Sequence, residues 1–297
     1  GSGVVSWATP SGGGGGADLY DANESSPTAQ PSATGTNAIA IGDSAISSNT
    51  ESFALAKSRA SGTSSFAAQI GTNSASYGAI GSYSIALGSL AKATGQSSVC
   101  LSNTSTASAS NSAVLGGSSG TASGSGSVAL GGSSNVADGA YSTAKGYYGN
   151  ANGIRLKHAT GVYPNQQGAY YVLGHTTSNA TPIALNTSVW TPSATNQITL
   201  PNNSAITFSG TVVARQQSAD GTASAAWKVE GLIRREANAG STVLVASTVT
   251  AINNTPSWGL ALTADTSFGC LKIEATGASS TDIRWVATIN TSEVTYA

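Results

Sequence analysis

Short apolar triplets recur along the first half of the chain at nearly constant spacing. They begin at residues 39, 53, 66, 85, 99, 113 and 128, with a weaker copy at 141, so the spacings are 14, 13, 19, 14, 14, 15 and 13 residues. In a strand, the first and third side chains of such a triplet point to one face and the second points to the other. The triplets are Ile39-Ala40-Ile41, Phe53-Ala54-Leu55, Phe66-Ala67-Ala68, Ile85-Ala86-Leu87, Val99-Cys100-Leu101, Ala113-Val114-Leu115, Val128-Ala129-Leu130 and Tyr141-Ser142-Thr143.

The residues between the triplets are small and polar, and glycine is frequent among them. Glycine directly follows four triplets, at Gly42, Gly88, Gly116 and Gly131, and it readily adopts the positive φ of a tight turn. A second short segment, such as "AKATG" or "GTASG", lies between successive triplets. The pattern predicts coils of two very short strands and two turns, stacked about 4.8 Å apart as a parallel β-roll over residues 37–145.

A coil of this length is too thin to enclose a large core. Buried apolar surface contributes about 25 cal/mol per Å², whereas each ordered residue loses more than about 1 kcal/mol of conformational entropy. We therefore expect several chains to associate side by side. We expect the small residues opposite the triplets to allow that close packing around a common axis.

The remainder of the chain follows other patterns. From residue 197, alternating segments such as "AITFSGTVVARQQ", "AAWKVEGLIRRE" and "TDIRWVATINTSE" are separated by Gly, Asn, Pro and Ser turns. They predict a C-terminal antiparallel β-sandwich over residues 197–297. Residues 146–196 lack a period and predict a neck or connector with strands near 170–173 and 183–186. Residues 1–36, with five consecutive glycines, predict a flexible lead-in.

Composition excludes several classes of partner. Charged residues make up 8% of the 297 residues, and 12 Lys and Arg against 13 Asp and Glu leave a net charge of −1. Binding to nucleic acid or to an anionic membrane needs clustered basic residues, which the sequence lacks. No apolar run is long enough for a membrane span. Cys100 and Cys270 lie in apolar segments and predict buried thiols rather than a disulfide framework.

The repeats resemble a known family of bacterial surface proteins. The segments "TNAIAIGDSA", "SYSIALGSLAKATGQSSVCLS" and "SGSVALGGSSNVADG" are similar to the head repeats of trimeric autotransporter adhesins. That resemblance implies a left-handed parallel β-roll with three chains in each trimer.

The C-terminal sequence resembles a different family. The stretch from "LPNNSAITFSG" to "FGCLKIEATG" is similar to the terminal domain of tail fibres in tailed bacteriophages. A β-roll followed by such a domain resembles the tail fibre proteins of Acinetobacter-infecting myophages. The resemblance implies a homotrimer at the distal end of a virion fibre. It also implies binding to the bacterial surface and attachment to the rest of the phage tail through an N-terminal part beyond this sequence.

The acidic residues argue against an enzyme. Glycoside hydrolysis typically needs two carboxylates that face one cleft, and the 13 Asp and Glu residues include no pair at strand spacing. Glu230 and Glu274 alternate with Lys228 and Lys272, which predicts cross-strand ion pairs on an exposed sheet face. The sequence therefore predicts no enzymatic activity, with carboxylates that meet between chains left as the open alternative.

The histidines do not indicate a metal site. His158 and His175 are the only two, and neither has a companion ligand at metal-binding spacing. A site with one histidine from each chain on a trimer axis is the alternative to a polar residue in the neck. The sequence predicts no metal and no cofactor.

Recognition of a sugar is the remaining chemistry that the sequence supports. Aromatic rings stack on the apolar faces of sugars, while amides and hydroxyls hold the sugar hydroxyls. In "AINNTPSWGL", Trp258 follows a group of such polar residues, although it could equally begin a strand and pack in the core. A basic pair on a strand edge is a second candidate, for anionic surface sugars, with a solvated edge as its alternative. The candidate receptor-binding residues are Trp258, Asn253, Asn254, Ser257, Arg234 and Arg235.

Together, these patterns and the two resemblances predict an all-β phage tail fibre protein: a trimeric left-handed parallel β-roll shaft followed by a C-terminal antiparallel β-sandwich. The predicted function is attachment of the virion to a bacterial surface receptor, in particular a polysaccharide. Three tips per fibre raise avidity even where each contact is weak. The alternatives are the head of a trimeric autotransporter adhesin and a capsule depolymerase.

Overall fold

The computed structural model describes residues 29–188, 191–216, 222–254 and 258–296. Within these ranges nearly all regular structure is β-strand, and the one helix is a 3₁₀ turn at Ala239–Ser241. The all-β prediction is therefore confirmed. No helix in the described ranges has the length and apolar character needed to cross a membrane.

The first half of the chain is built from short strands that return to two positions in every coil. In chain order they are β1 (Ser32–Ala33), β2 (Ile39–Ile41), β3 (Ile46–Ser47), β4 (Phe53–Leu55), β5 (Arg59–Ala60), β6 (Phe66–Ala68), β7 (Gly78–Ala79), β8 (Ile85–Leu87), β9 (Lys92–Ala93), β10 (Val99–Asn103), β11 (Thr106–Ala107), β12 (Ala113–Ser118), β13 (Thr121–Ala122), β14 (Val128–Ser133), β15 (Val136–Ala137), β16 (Thr143–Tyr147) and β17 (His158–Tyr163).

Strands at equivalent positions pair in parallel. The odd-numbered strands β1 to β15 form one sheet of eight strands, and the even-numbered strands β2 to β16, followed by β17, form the other ladder. The result is a β-solenoid of about nine turns, which confirms the predicted parallel β-roll. Its parallel pairing extends from Ser32 to Gly161, beyond the expected limits of 37 and 145. The left hand of the coil and the trimer stay predictions.

The triplets are in register from coil to coil. Each first triplet residue from Ile39 to Ala113 pairs with the first residue of the next triplet. The register holds across the 19-residue spacing, where Phe66 pairs with Ile85. The extra residues of that coil therefore lie in its turns, and the ladder stays continuous.

The eighth predicted triplet was placed in the wrong register. Val128 pairs with Thr143 rather than with Tyr141. Tyr141 lies in a turn with a φ of 56°, and Ala144 takes the buried central position. The inside of the coil requires a small residue there, and this requirement outweighs the preference for large flanking side chains.

The small central residues fill the inside of the solenoid. Ala54, Ala86 and Val114 are fully buried, whereas Leu101 and Leu115 are 38% and 40% exposed. The expectation that the small residues pack between chains is therefore wrong. They pack within the coil, where most of the space between its two ladders is filled by alanine side chains. The large flanking side chains form an outward-facing row, the outer ladder, which comprises the first and third residues of the triplets of β2, β4, β6, β8, β10, β12 and β14.

Glycine allows neighbouring coils to stack closely. A Cβ atom at Gly95 would lie 2.0 Å from the carbonyl oxygen of Ala109 in the next coil. That distance is far shorter than any real contact, so a side chain at this turn would force the coils apart.

The second half of the chain contains longer strands. They are β18 (Gln166–Thr177), β19 (Ile183–Ala184), β20 (Ile198–Thr199), β21 (Ser204–Gln216), β22 (Ser224–Arg235), β23 (Val243–Asn254), β24 (Gly259–Asp265), β25 (Cys270–Thr276) and β26 (Ile283–Thr295).

These strands form two antiparallel sheets around one core. The order β18-β26-β21-β22-β23 continues the ladder of the solenoid through β17, which makes a single sheet of 14 strands. The smaller sheet contains β19, β25, β20 and β24. Side chains from both sheets share one hydrophobic cluster, in which Trp227 and Trp285 stack with ring centroids 5.5 Å apart. Classification of this region as a β-sandwich stays a prediction.

The predicted connector contributes directly to the large sheet. β18 pairs along its whole length with β26, from Gln166 opposite Val294 to Thr177 opposite Ile283. Tyr171 is fully buried in the shared core. The solenoid therefore passes into the C-terminal sheet through β17 and β18.

Candidate functional site

The structure buries the aromatic residue that the sequence singled out for receptor binding. Trp258 is 4% exposed, and its ring lies 5.9 Å from the ring of Trp285 in the core. Asn254 is exposed at the end of β23 and donates a hydrogen bond from Nδ2 to the carbonyl oxygen of Trp258 at 3.1 Å. Asn253 is also exposed, and Ser257 lies outside the described residues. The binding role of Trp258 stays a prediction, without an exposed ring to support it.

The two arginines lie at the other end of the same pair of strands. Arg234 pairs with Val243 across β22 and β23, whereas Asn254 pairs with Ala225 at the opposite end. Arg234 makes an exposed ion pair with Glu236 at 2.5 Å. Arg235 donates from Nη1 to the carbonyl oxygen of Leu200 at 2.6 Å. The fold therefore does not bring the predicted site residues together, and their role stays a prediction.

A different group of polar and aromatic residues converges where the solenoid meets the C-terminal sheet. The turns after β14 and β16, the β17–β18 hairpin and the end of β26 enclose a cleft of about 330 Å³. We call it the junction cleft, and its lining residues are Ser134, Val136, Tyr148, Asn150, Asn152, Pro164, Asn165, Gln166, Gln167, Pro201, Glu293 and Thr295.

Tyr148 lines the junction cleft, and two further exposed tyrosines, Tyr147 and Tyr163, lie near Tyr148. Tyr147 and Tyr148 pack edge to face with ring centroids 4.6 Å apart. The pKa of Tyr147 is raised by charge repulsion from Tyr148, by a hydrogen bond with Tyr148 and by a weaker charge repulsion from Tyr163. The three phenol groups therefore lie near one another. Tyr148 is 39% exposed and Tyr163 is 61% exposed. Exposed rings of this kind can stack on the apolar face of a sugar.

A buried ion pair lies behind the junction cleft. Lys157, at the entrance to β17, is fully buried, and its Nζ atom lies 2.7 Å from Oε2 of Glu293 on β26. The same oxygen accepts a hydrogen bond from Nε2 of Gln167 at 2.7 Å. The other oxygen, Oε1, accepts from the hydroxyl groups of Tyr171 at 3.0 Å and Thr291 at 2.8 Å.

Gln167 connects this ion pair to the wall of the cleft. Its side chain accepts a hydrogen bond from the backbone N–H of Asn150 at 2.8 Å and donates one to the carbonyl oxygen of Asn150 at 3.0 Å. The last turn of the solenoid is therefore held to β18 and β26 by a continuous network. That network fixes the position of one side of the cleft.

The pKa values of these groups reflect their burial and their mutual attraction. Burial raises the pKa of Glu293, but the charge of Lys157 and the hydrogen bonds from Lys157, Gln167 and Thr291 outweigh it and hold the pKa below 4.5. Burial lowers the pKa of Lys157, against the attraction of Glu293 and Asp138. Burial, together with the charge of Glu293, raises the pKa of Tyr171. Glu293 is therefore a carboxylate at neutral pH.

The sequence pointed only weakly to this cleft. Nothing in the sequence indicated that Lys157, Gln167 and Glu293 belong to one site, and Glu293 was only one of 13 scattered acidic residues. The one local signal is the segment "GVYPNQQG", in which a tyrosine is followed by three amide side chains. No group of three or more metal-ligating side chains occurs among the residues that the structure describes.

Comparison with known proteins gives distant structural neighbours only. No protein family and no curated protein matches the sequence. The tailspike protein gp49 of Acinetobacter baumannii bacteriophage Fri1 is 7% identical, with a TM-score of 0.27, over 69% of this chain and 40% of its own. The tailspike of Acinetobacter phage vB_ApiP_P1 is 10% identical, with a TM-score of 0.23, over 85% of this chain and 50% of its own.

A third neighbour is of the same kind. The tailspike of Acinetobacter baumannii phage AM24 is 7% identical, with a TM-score of 0.20, over 88% of this chain and 54% of its own. This chain therefore spans between 40% and 54% of the length of the three tailspikes.

One of these neighbours corrects an expectation from the sequence. The gp49 protein is described as a capsular polysaccharide depolymerase, and this finding overturns the prediction that the chain has no enzymatic activity. The prediction relied on the spacing of carboxylates along the sequence. Spacing along the sequence is a poor guide because folding brings distant acids together. Asp138 and Glu293, for example, both raise the pKa of Lys157.

Proposed function

We propose that the chain is part of a phage tail, where it binds a polysaccharide of the bacterial surface through the junction cleft. The observation that carries the proposal is the convergence of the exposed ring of Tyr148 with uncommitted amide groups in one concave site. Aromatic stacking combined with amide hydrogen bonds is the usual chemistry of sugar recognition. The resemblance of the sequence to tail fibres supports the same assignment and a location in the virion.

In this proposal each segment of the chain has its own role. Residues 1–36 are the lead-in, 37–145 the rigid shaft, 146–196 the connector and 197–297 the receptor-binding domain. The junction cleft draws on the last three of these segments. Binding therefore takes place where the shaft joins the C-terminal domain, and not at its far tip.

Replacing Tyr148 by alanine is expected to weaken binding to intact bacteria about tenfold, because a stacked ring contributes about 1 kcal/mol or more beyond its buried area. The measurement is a binding curve of labelled protein on a panel of strains, with released reducing ends assayed in parallel. Tyr83→Ala is the matched control, since Tyr83 is 57% exposed and lies on the shaft. Equal binding by wild type and the Tyr148 variant would contradict this use of the cleft.

We also propose that three chains associate through the outer ladder. This row carries exposed Ile39, Ile41, Ile85, Leu101 and Leu115 along one face of the solenoid. Extended apolar patches of this kind mark interaction surfaces, since monomeric proteins rarely expose them. The thin coil has few large buried side chains of its own, so association would supply the missing core.

Leu115→Glu is expected to shift the native mass from three times 29.2 kDa towards 29.2 kDa, because it buries an unpaired carboxylate in the association surface. Light scattering after size exclusion measures this mass. Ser123→Glu adds the same charge at an exposed position outside the ladder and is expected to leave the mass unchanged. A wild-type mass of 29.2 kDa would refute the trimer.

A further inference from the structure

Glu293 is the one charged residue among the twelve that line the junction cleft. Among the residues that the structure describes, no lysine, arginine or histidine side chain is part of the lining. An acidic sugar entering this cleft would therefore find no cation to pair with. Strong recognition of carboxylates in proteins uses charged donors, above all arginine.

The charge of Glu293 is directed into the protein. Its side chain is 4% exposed, and its two oxygens accept four hydrogen bonds, from Lys157, Gln167, Tyr171 and Thr291. A ligand that donated a hydrogen bond or a proton to this carboxylate would have to displace one of these contacts. Glu293 is therefore a positioning residue that holds Gln167 against the cleft wall.

The remaining amides are available to a ligand. Within the described structure the side chains of Asn152, Asn165 and Gln166 make no hydrogen bond to another residue. Each amide offers two donors and an acceptor in one plane. Such groups match sugar hydroxyls and acetamido groups, which likewise both donate and accept.

We infer that the junction cleft takes an uncharged stretch of glycan, built from neutral hexoses or N-acetylated amino sugars, and excludes uronic and other acidic sugars. This inference rests on the proposed function. Neutral sugars can satisfy the amides and stack on Tyr148. An acidic sugar would bury its carboxylate without a partner and near Glu293, which is costly in a partly desolvated site.

The test measures binding of the full chain to two sets of immobilised bacterial polysaccharides, one with neutral repeat units and one with a uronic acid in each repeat. Wild type is expected to bind neutral polysaccharides at least tenfold more tightly. Preference for the acidic set would overturn the inference and leave the proposed function intact. Binding to neither set, together with no binding to intact cells, would overturn the proposed function itself.

A charge variant probes the same cleft in the opposite direction. Gln166→Lys places a cation in the cleft at an exposed strand position and is expected to raise binding to the acidic polysaccharides about tenfold. Gln96→Lys adds the same charge to an exposed turn of the shaft and controls for the change in net charge. An equal gain for both variants, or no gain for Gln166→Lys while neutral binding persists, would contradict the assignment of the cleft.

Discussion

Replacing Lys157 by methionine is expected to lower the free energy of unfolding by about 3–5 kcal/mol. The change removes the partner of Glu293 at a site where both side chains are buried, so the carboxylate remains in the protein without its counter-charge. Denaturant unfolding followed by tryptophan fluorescence measures the loss. We expect binding to surface polysaccharide to weaken as well, because Glu293 holds Gln167 and Gln167 holds Asn150.

A double variant separates the lost ion pair from lost packing. Lys157→Met combined with Glu293→Gln is expected to be less destabilised than the sum of the two single variants, since the second change removes the unpaired charge. Additive effects would show that the two side chains do not act as a pair. A loss below about 1 kcal/mol for Lys157→Met would place this site among ordinary exposed ion pairs.

The pH dependence of stability offers a second readout of the same pair. The pKa of Glu293 is lower in the folded protein than its ordinary value of 4.5. The ionised carboxylate therefore contributes stability above pH 4.5, and this contribution is lost as the pH falls below 4.5 towards the folded pKa. Wild type is expected to lose stability more steeply than Glu293→Gln over this acidic range, and parallel curves would contradict the lowered pKa.

Trp258→Ala is expected to destabilise the protein by about 3–5 kcal/mol, because it empties a large volume in the core beside Trp285. Unfolding by denaturant measures this loss. In contrast, affinity for bacterial cells is expected to stay at the wild-type value at temperatures where the variant remains folded.

The control for this prediction is its exposed neighbour. Asn253→Ala is expected to change stability by no more than about 0.5 kcal/mol, as surface substitutions usually do. If Trp258→Ala weakened cell binding while leaving stability unchanged, the ring would be a receptor contact, as one interpretation of the sequence proposed.

The triplet repeat in the sequence was sufficient to predict the solenoid. Because each coil pairs only with its neighbours, a period in the sequence becomes a period in space, and the triplets from Ile39 to Val128 occupy equivalent positions in the structure. The predicted register was wrong at Tyr141, because the large tyrosine side chain was taken as the first residue of the triplet. The decisive residue there is Ala144, which fits inside the coil.

The location of a binding site was much harder to predict. Trp258 lies beside amides in the sequence, but its environment depends on Trp285, which belongs to another strand. Tyr148 lies in the bend after β16, and Gln166 is the first residue of β18. Both line the junction cleft with Glu293, which is far from both in sequence. No local sequence pattern specifies which of these residues come together. For the same reason, the spacing of carboxylates along the sequence does not show which acids lie close together in the fold.

By itself, the sequence determined that this is an all-β chain with a parallel β-solenoid, since strand period and coil stacking follow from alternation, small residues and glycine turns alone. Only the tertiary structure decided which face of each triplet is buried, that β17 and β18 join the solenoid to the C-terminal sheet, and that Lys157 and Glu293 meet behind a cleft. These features depend on contacts between segments that are distant along the chain. Such contacts follow from the packing of whole sheets, which local side-chain patterns do not specify.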